Sequence, residues 1–198
     1  MSFWDLSDGE KVEETKEYEA PSGGGEYIFA DGTKVAAIID ECKWHSFNGG
    51  EEFLNIRWSV FAPEIDAAGV KIANRKIFQK LYPEGDAARN TDPDKRKRKA
   101  DNAKRMLAAI ATNAGGGLLK VQGRPSDDDL SANLLMKPMV INLKVWEMET
   151  NGEKRKGNWI CAVSPYTGKI DAVPAADKAK PSQTMSQGSA LDDDSIPF

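Results

Sequence analysis

The sequence predicts a mainly β domain with one or two helices and extended termini. Two patterns point to it. Segments of alternating apolar and polar residues recur with turn residues between them. Only one segment carries a strong helical signature, with a cap at each end. The ends are of a different kind: both are acidic and interrupted by Gly, Pro and Ser.

The charge distribution sharpens this division. The chain has 198 residues and a net charge of −4. Residues 1–33 hold 2 basic and 9 acidic side chains, and residues 171–198 hold 2 and 5. Residues 34–170 hold 23 basic and 17 acidic side chains, a net of +6. A basic body between acidic ends can attract a polyanion, and the ends can compete for the same surface. The expected organisation is an acidic arm over 1–26, a folded domain over 27–170, and a linker with an acidic tail over 171–198. Pro21-Ser22-Gly23-Gly24-Gly25 closes the arm, and Phe3, Trp4 and Leu6 give its tip an apolar character.

No apolar run reaches the roughly 18 residues of a membrane span. Met1-Ser2-Phe3-Trp4-Asp5 has no basic stretch before an apolar one, so no signal peptide is expected. A cytoplasmic location follows as the expectation. Cys42 and Cys161 are the only cysteines, and in a reducing compartment both read as small core residues.

The elements are expected in this order. A first strand covers 34–44, and Ser46-Phe47-Asn48-Gly49-Gly50 supplies a hairpin turn. A second covers 52–61, with Leu54, Ile56, Trp58 and Val60 on one face and Phe53, Asn55, Arg57 and Ser59 on the other. Pro63 ends it. A third covers 70–82, and Pro83-Glu84-Gly85-Asp86 breaks it. The helix follows: Thr91 or Asp92 caps it, Pro93 suits its first turn, and Asp94 faces the positive end of its dipole. Ala103, Met106, Leu107, Ile110 and Ala114 form its apolar stripe, and Gly115 fits the position just past its end. A short helical turn is expected over 127–133. A fourth strand covers 139–148, with Met139, Ile141, Leu143 and Val145 opposite Asn142, Lys144 and Trp146. Asn151-Gly152 turns the chain into a fifth strand over 158–164.

Three strands, a helix and two strands is the order of an OB-fold, a five-stranded Greek-key barrel whose face binds oligonucleotides. An antiparallel sandwich with one helix fits the same pattern.

The last residues carry the most specific motif, Leu191-Asp192-Asp193-Asp194-Ser195-Ile196-Pro197-Phe198. An acidic run draws basic partners from a distance. Pro197 stiffens the end, and Phe198 joins an aromatic ring to a carboxylate. A small apolar pocket beside an Arg or Lys captures both. This segment resembles the C-terminal tip of bacterial single-stranded DNA-binding proteins, although Ser195 interrupts the usual spacing. The resemblance implies recruitment of host or phage replication and repair proteins through Asp192, Asp193, Asp194, Ile196, Pro197 and Phe198. The body resembles phage-encoded single-stranded DNA-binding proteins of the OB type. The matching features are Phe3-Trp4-Asp5-Leu6, Asp31-Gly32-Thr33, the Lys-rich helix ending Asn113-Ala114-Gly115, and Gly157-Asn158-Trp159. This likeness implies a class of function and a setting, the cytoplasm of a phage-infected bacterium. It assigns no role to single residues.

Candidate strand-binding residues come from the strands themselves. Lys76, Phe78, Lys80 and Tyr82 alternate cation and aromatic at period two, so all four are expected on one face. Phe53 and Arg57 have the same character, as do Lys144 and Trp146, and Lys43 with Trp44. Exposed rings stack on bases of any kind while cations meet the phosphates. The competing reading places individual rings such as Phe78, Tyr82 and Trp146 in the core. Trp58, among aliphatic residues, reads as core. Lys95-Arg96-Lys97-Arg98-Lys99 reads as a solvated helix face rather than a phosphate site.

Other chemistry finds little support. Cys42, His45 and Cys161 lack a paired zinc-ligand spacing. A single histidine leaves no triad or two-histidine metal site. Gly115-Gly116-Gly117 follows a helix, whereas a phosphate loop precedes one. Asp127-Asp128-Asp129 reads as the start of a short helix. No catalytic residue, metal or cofactor is expected. Three functions remain: sequence-independent binding of single-stranded DNA, strand annealing in recombination, and a protein-only adaptor acting through its acidic ends. A homo-oligomer is compatible with each.

Overall fold

The computed structural model describes residues 27–46, 51–85, 91–150 and 153–176. The acidic arm, the Asn48-Gly49-Gly50 and Asn151-Gly152 turns, and the tip residues 191–198 lie outside the described residues. The elements are β1 (Lys34–Ser46), β2 (Glu52–Ala62), β3 (Lys76–Leu81), α1 (Pro93–Asn113), a 3-10 turn (Leu118–Lys120), α2 (Asp127–Leu134), β4 (Pro138–Thr150) and β5 (Glu153–Pro165). The fold is mainly β with two α-helices, as expected.

All pairings are antiparallel, and the five strands form one open sheet in the order β3-β2-β1-β4-β5. The sheet curls: residues of the two edge strands, β3 and β5, approach within 8 Å from Cα to Cα. β1 sits at its centre, pairing β4 with Lys34–Ile38 and β2 with Ala36–Ser46. Register shifts at Ala36/Ala37 and Ile39/Glu41 let it serve both neighbours. The second shift reverses the alternation. Val35, Ala37 and Ile39 are buried before it, and Cys42 after it. Asp40 is the inserted residue.

The inner face of the sheet and the apolar sides of both helices make one core. Trp58 is fully buried, and its Nε1 donates to Gln79 Oε1 at 3.1 Å. From α1, Ala103, Met106 and Ile110 pack inward. Asp92 caps α1, accepting from the Asp94 and Lys95 amides, and Gly115 takes a left-handed φ of 108° just past its end. α2 opens with a reciprocal capping box between Ser126 and Asp129.

Three boundaries differ most from expectation. β5 begins at Glu153, not at position 158. The third strand begins at Lys76, not at position 70. Residues 64–75 instead form an ordered loop that finds its hydrogen bonds locally. Asp66 accepts from the Ala68 and Val70 amides, Glu64 O accepts from Ile72 and Ala73, and Asn74 adopts a left-handed φ of 68°. Val70 and Ile72 alternate like strand residues, but a left-handed residue cannot continue a ladder. The folded part also passes position 170. Val173 is buried, and its carbonyl accepts from the Ala67 amide at 2.8 Å. Expecting a linker from 171 was therefore incorrect for residues 171–176. Cys42 is core as expected, whereas Cys161 is half-buried, with Sγ 3.4 Å from the Asn142 carbonyl.

Core and surface aromatics should separate cleanly in unfolding experiments. Trp58→Ala should cost about 3–5 kcal/mol. Phe78→Ala, at a ring that is 60% exposed, should change stability by less than about 0.5 kcal/mol. Urea denaturation of the two variants checks both values.

Candidate nucleic-acid interface

Strand pairing assembles the outer-face side chains of β1, β2 and β3 into rows. One row runs Glu41, Arg57, Phe78; the next runs Lys43, Asn55, Lys80. Lys76 lies beside Ser59, one step along β3 from Phe78. Facing residues share a side of the sheet, so the ring of Phe78 stands between Lys76 and Lys80 along β3 and beside Arg57 of β2, with Lys43 on the same face two strands away. Lys76, Phe78 and Lys80 are exposed, while Ile77, Gln79 and Leu81 between them are buried. The expected alternation of β3 holds over this stretch.

The bulge of β1 decides the electrostatics of the patch. It turns both Asp40 and Glu41 outward. The Asp40 carboxylate accepts from Arg57 Nε at 2.8 Å, from Ser59 Oγ at 2.6 Å and from Lys76 Nζ. Arg57 also pairs with Glu41 at 2.7 Å, and Lys43 with Glu41 at 3.4 Å. Partial burial pushes the Asp40 carboxyl upward, but the Lys76, Ser59 and Arg57 hydrogen bonds outweigh it and hold the group at about 2. Arg57 and Lys76 are thus aimed at the patch by acids that also neutralise much of their charge.

Other residues expected to meet the strand fall elsewhere. Tyr82 follows the last residue of β3 and is fully buried. Phe53 is buried as well: its ring lies 5.7 Å from Tyr82 and 5.9 Å from His45, with Lys80 Nζ 5.3 Å from its centre. Alternation grouped Phe53 with Arg57 and Tyr82 with Lys80 but did not show that neighbours cover the two rings. Neither ring offers a face for stacking. Trp44 pairs with Leu54 on the core side and cannot share a face with Lys43. Its Nε1 donates to Pro125 O at 2.8 Å, and the Arg124 guanidinium lies 3.9 Å from its ring. Arg124 in turn pairs with Glu52 and Glu84.

A second aromatic and basic group sits on β4 and β5. Lys144 faces Trp159, Trp146 faces Gly157, and Met148 faces Arg155. Lys144 is exposed, and Trp146 and Trp159 are half-buried. A Cβ on Gly157 would lie 2.8 Å from the Trp146 ring, so only glycine admits that ring against the strand. Trp159 and Arg155 were not among the residues expected to bind. Trp159 is the cross-strand partner of Lys144, but the expected fifth strand carried no register and began at 158, beyond Arg155.

Asp31-Gly32-Thr33 and Asn158 serve the architecture. Val145 N donates to Asp31 Oδ1, and Asn158 pairs with both backbone groups of Phe29. Among the described residues no three His, Cys, Asp or Glu side chains gather as a metal site requires. No helix among them is long and apolar enough to cross a membrane.

Neither a protein-family model nor a curated protein matches the chain.

The Asp40 cluster should be visible in acid. Its folded carboxyl titrates below the ordinary value of 3.8, so its contribution is complete above that value and fades as pH falls towards about 2. Between those limits the native chain should lose stability more steeply than Asp40→Asn. Urea midpoints measured across that range for both proteins check this.

Proposed function

We propose that this chain binds single-stranded DNA without sequence preference, through the outer face of β2 and β3. The observation that carries the reading is Phe78. It is an aromatic ring 60% exposed on a regular strand, with Lys76 and Lys80 on either side of it along β3 and Arg57 facing it on β2. An isolated exposed ring is ordinary, but one flanked by Lys and Arg matches what stacked bases and their phosphates need. The half-exposed Trp146 and Trp159 beside Lys144 and Arg155 repeat the chemistry on the neighbouring hairpin. We read the curled sheet as an OB-type Greek-key barrel. The strand order supports this, as do the approach of β3 to β5 and a helix between β3 and β4. A protein-only adaptor would leave Phe78 and its cations without a purpose.

Titration with oligo-dT at two salt concentrations tests the reading. Affinity should fall with salt, with a slope of about −0.7 per phosphate neutralised. Phe78→Ala should weaken binding by about 1–3 kcal/mol, the contribution of one stacked base. Undiminished affinity in Phe78→Ala would remove the central support.

The C-terminal tip is proposed to recruit replication and repair proteins during phage replication or recombination. The sequence leads to the expectation of a linker between Ala176 and Leu191, and a random coil of that length would span about 20 Å, enough to bring Asp192, Asp193 and Asp194 back to a basic surface. Removing residues 191–198 should tighten DNA binding, most clearly at low salt. Phe198→Ala should leave DNA affinity alone and abolish binding of those partners. Fluorescence anisotropy and pull-down with the intact chain as reference measure the two effects.

A further inference from the structure

The charge excess of the folded part does not lie on the strand face. Arg57, Lys76 and Lys43 are tied to Asp40 and Glu41. α1, by contrast, carries seven cations and only two acids, Asp94 and Asp101. Its +5 is most of the +6 of residues 34–170. Helical spacing and exposure place Lys97, Arg98, Lys104 and Arg105 together on its solvent side. None of the four makes an ion pair within the described residues, and Asp94 and Asp101 make none either. The cations crowd the N-terminal half, where the helix dipole disfavours positive charge. A merely solubilising face would be better placed at the other end.

Position links this surface to the strand face. Lys99 is buried with its Nζ 4.8 Å from the centre of the Tyr82 ring, directly beyond β3. Arg96 and Lys97 line an open hollow with Glu84 and Gly85 of the connection that leaves β3. Glu84, the acid among the residues lining this hollow, pairs with Arg124.

We infer that the exposed face of α1 is a second segment of the same DNA track, holding the phosphodiester backbone after the strand leaves β3. It rests on the strand-binding reading and divides the work within it. The β3 face supplies stacking and little net charge; α1 supplies charge and no rings. β3 spans about 20 Å, which a few nucleotides fill. Lys97 to Arg105 adds about 12 Å along the helix. A longer strand is needed to reach both.

The test compares the full chain with a variant carrying Lys97→Gln, Arg98→Gln, Lys104→Gln and Arg105→Gln. All four sites are exposed, and glutamine is a good helix former. A charge-preserving variant, Lys97→Arg with Arg98→Lys, Lys104→Arg and Arg105→Lys, is the control. Binding is measured to oligo-dT of about 5 and about 20 nucleotides, near the lower end and beyond the upper end of the site sizes of about 4–16 nucleotides for OB-type domains. On the long strand, the glutamine variant should bind at least about tenfold more weakly at low salt, with a salt slope shallower by about 0.7 for each phosphate no longer neutralised. On the short strand it should match the unaltered chain, and the charge-preserving variant should match it on both. Unchanged long-strand affinity, or an equal loss on both lengths, overturns the inference. If the unaltered chain binds neither strand, the strand-binding reading itself fails, and the inference falls with it.

Discussion

The arrangement depends on one extra residue in the central strand. β1 must pair with β4 at its start and with β2 along the rest of its length. A regular strand long enough to do both would hold the sheet flatter and keep one alternation throughout. The shift at Ile39/Glu41 bends the strand and reverses which residues point inward. Ile39 and Cys42 both reach the core as a result. The inserted Asp40 is left on the outer side with Glu41, where it gathers Arg57, Ser59 and Lys76. Curvature of the sheet and orientation of the cations thus have a common origin in a backbone irregularity.

That origin explains the division of chemistry over the surface. Cations held by neighbouring carboxylates are well positioned but weak attractors at a distance, since the pair is nearly neutral. They suit close contact beside Phe78. Lys97, Arg98, Lys104 and Arg105 on α1 are exposed and make no ion pair among the described residues, so their field reaches further into solvent. Orientation and attraction are separate physical tasks, and in the proposed reading different elements serve them. The aromatic residues follow a similar logic. Trp58 fills the core and Trp44 is sandwiched beneath Arg124, so both are spent on stability.

Much of this was legible in the sequence, and the failures have definite causes. The period-two pattern of β2 placed Leu54, Ile56, Trp58 and Val60 inside, and the caps of α1 were readable from Asp92, Pro93 and Gly115. Along β3 the same period put Lys76, Phe78 and Lys80 outside. Alternation reports the side of a sheet, not what covers it. Phe53 and Tyr82 were misjudged for that reason, since His45, Lys80 and Lys99 lie over their rings. A bulge has no residue signature of its own, so the core-side position of Trp44 was hidden. Val70 and Ile72 imitated a strand because a side-chain carboxylate, Asp66, stood in for the missing ladder partner. Val173 looked like linker because its neighbours are small and polar, although its own burial is decided by a loop more than 100 residues earlier.

Asp66 has one more consequence. Tyr27, the first described residue, donates its hydroxyl to Asp66 at 2.7 Å and lies beneath Arg75, which directly precedes β3. Val173, near the last described residue, is bonded to the adjacent Ala67. The described chain therefore enters and leaves on one loop, and that loop leads directly into β3. Residues far apart in sequence fasten the start of β3, while its other end runs on towards α1, whose side chains sum to +5. A change at Asp66 would loosen both ends of the folded part at once, because a single loop anchors them.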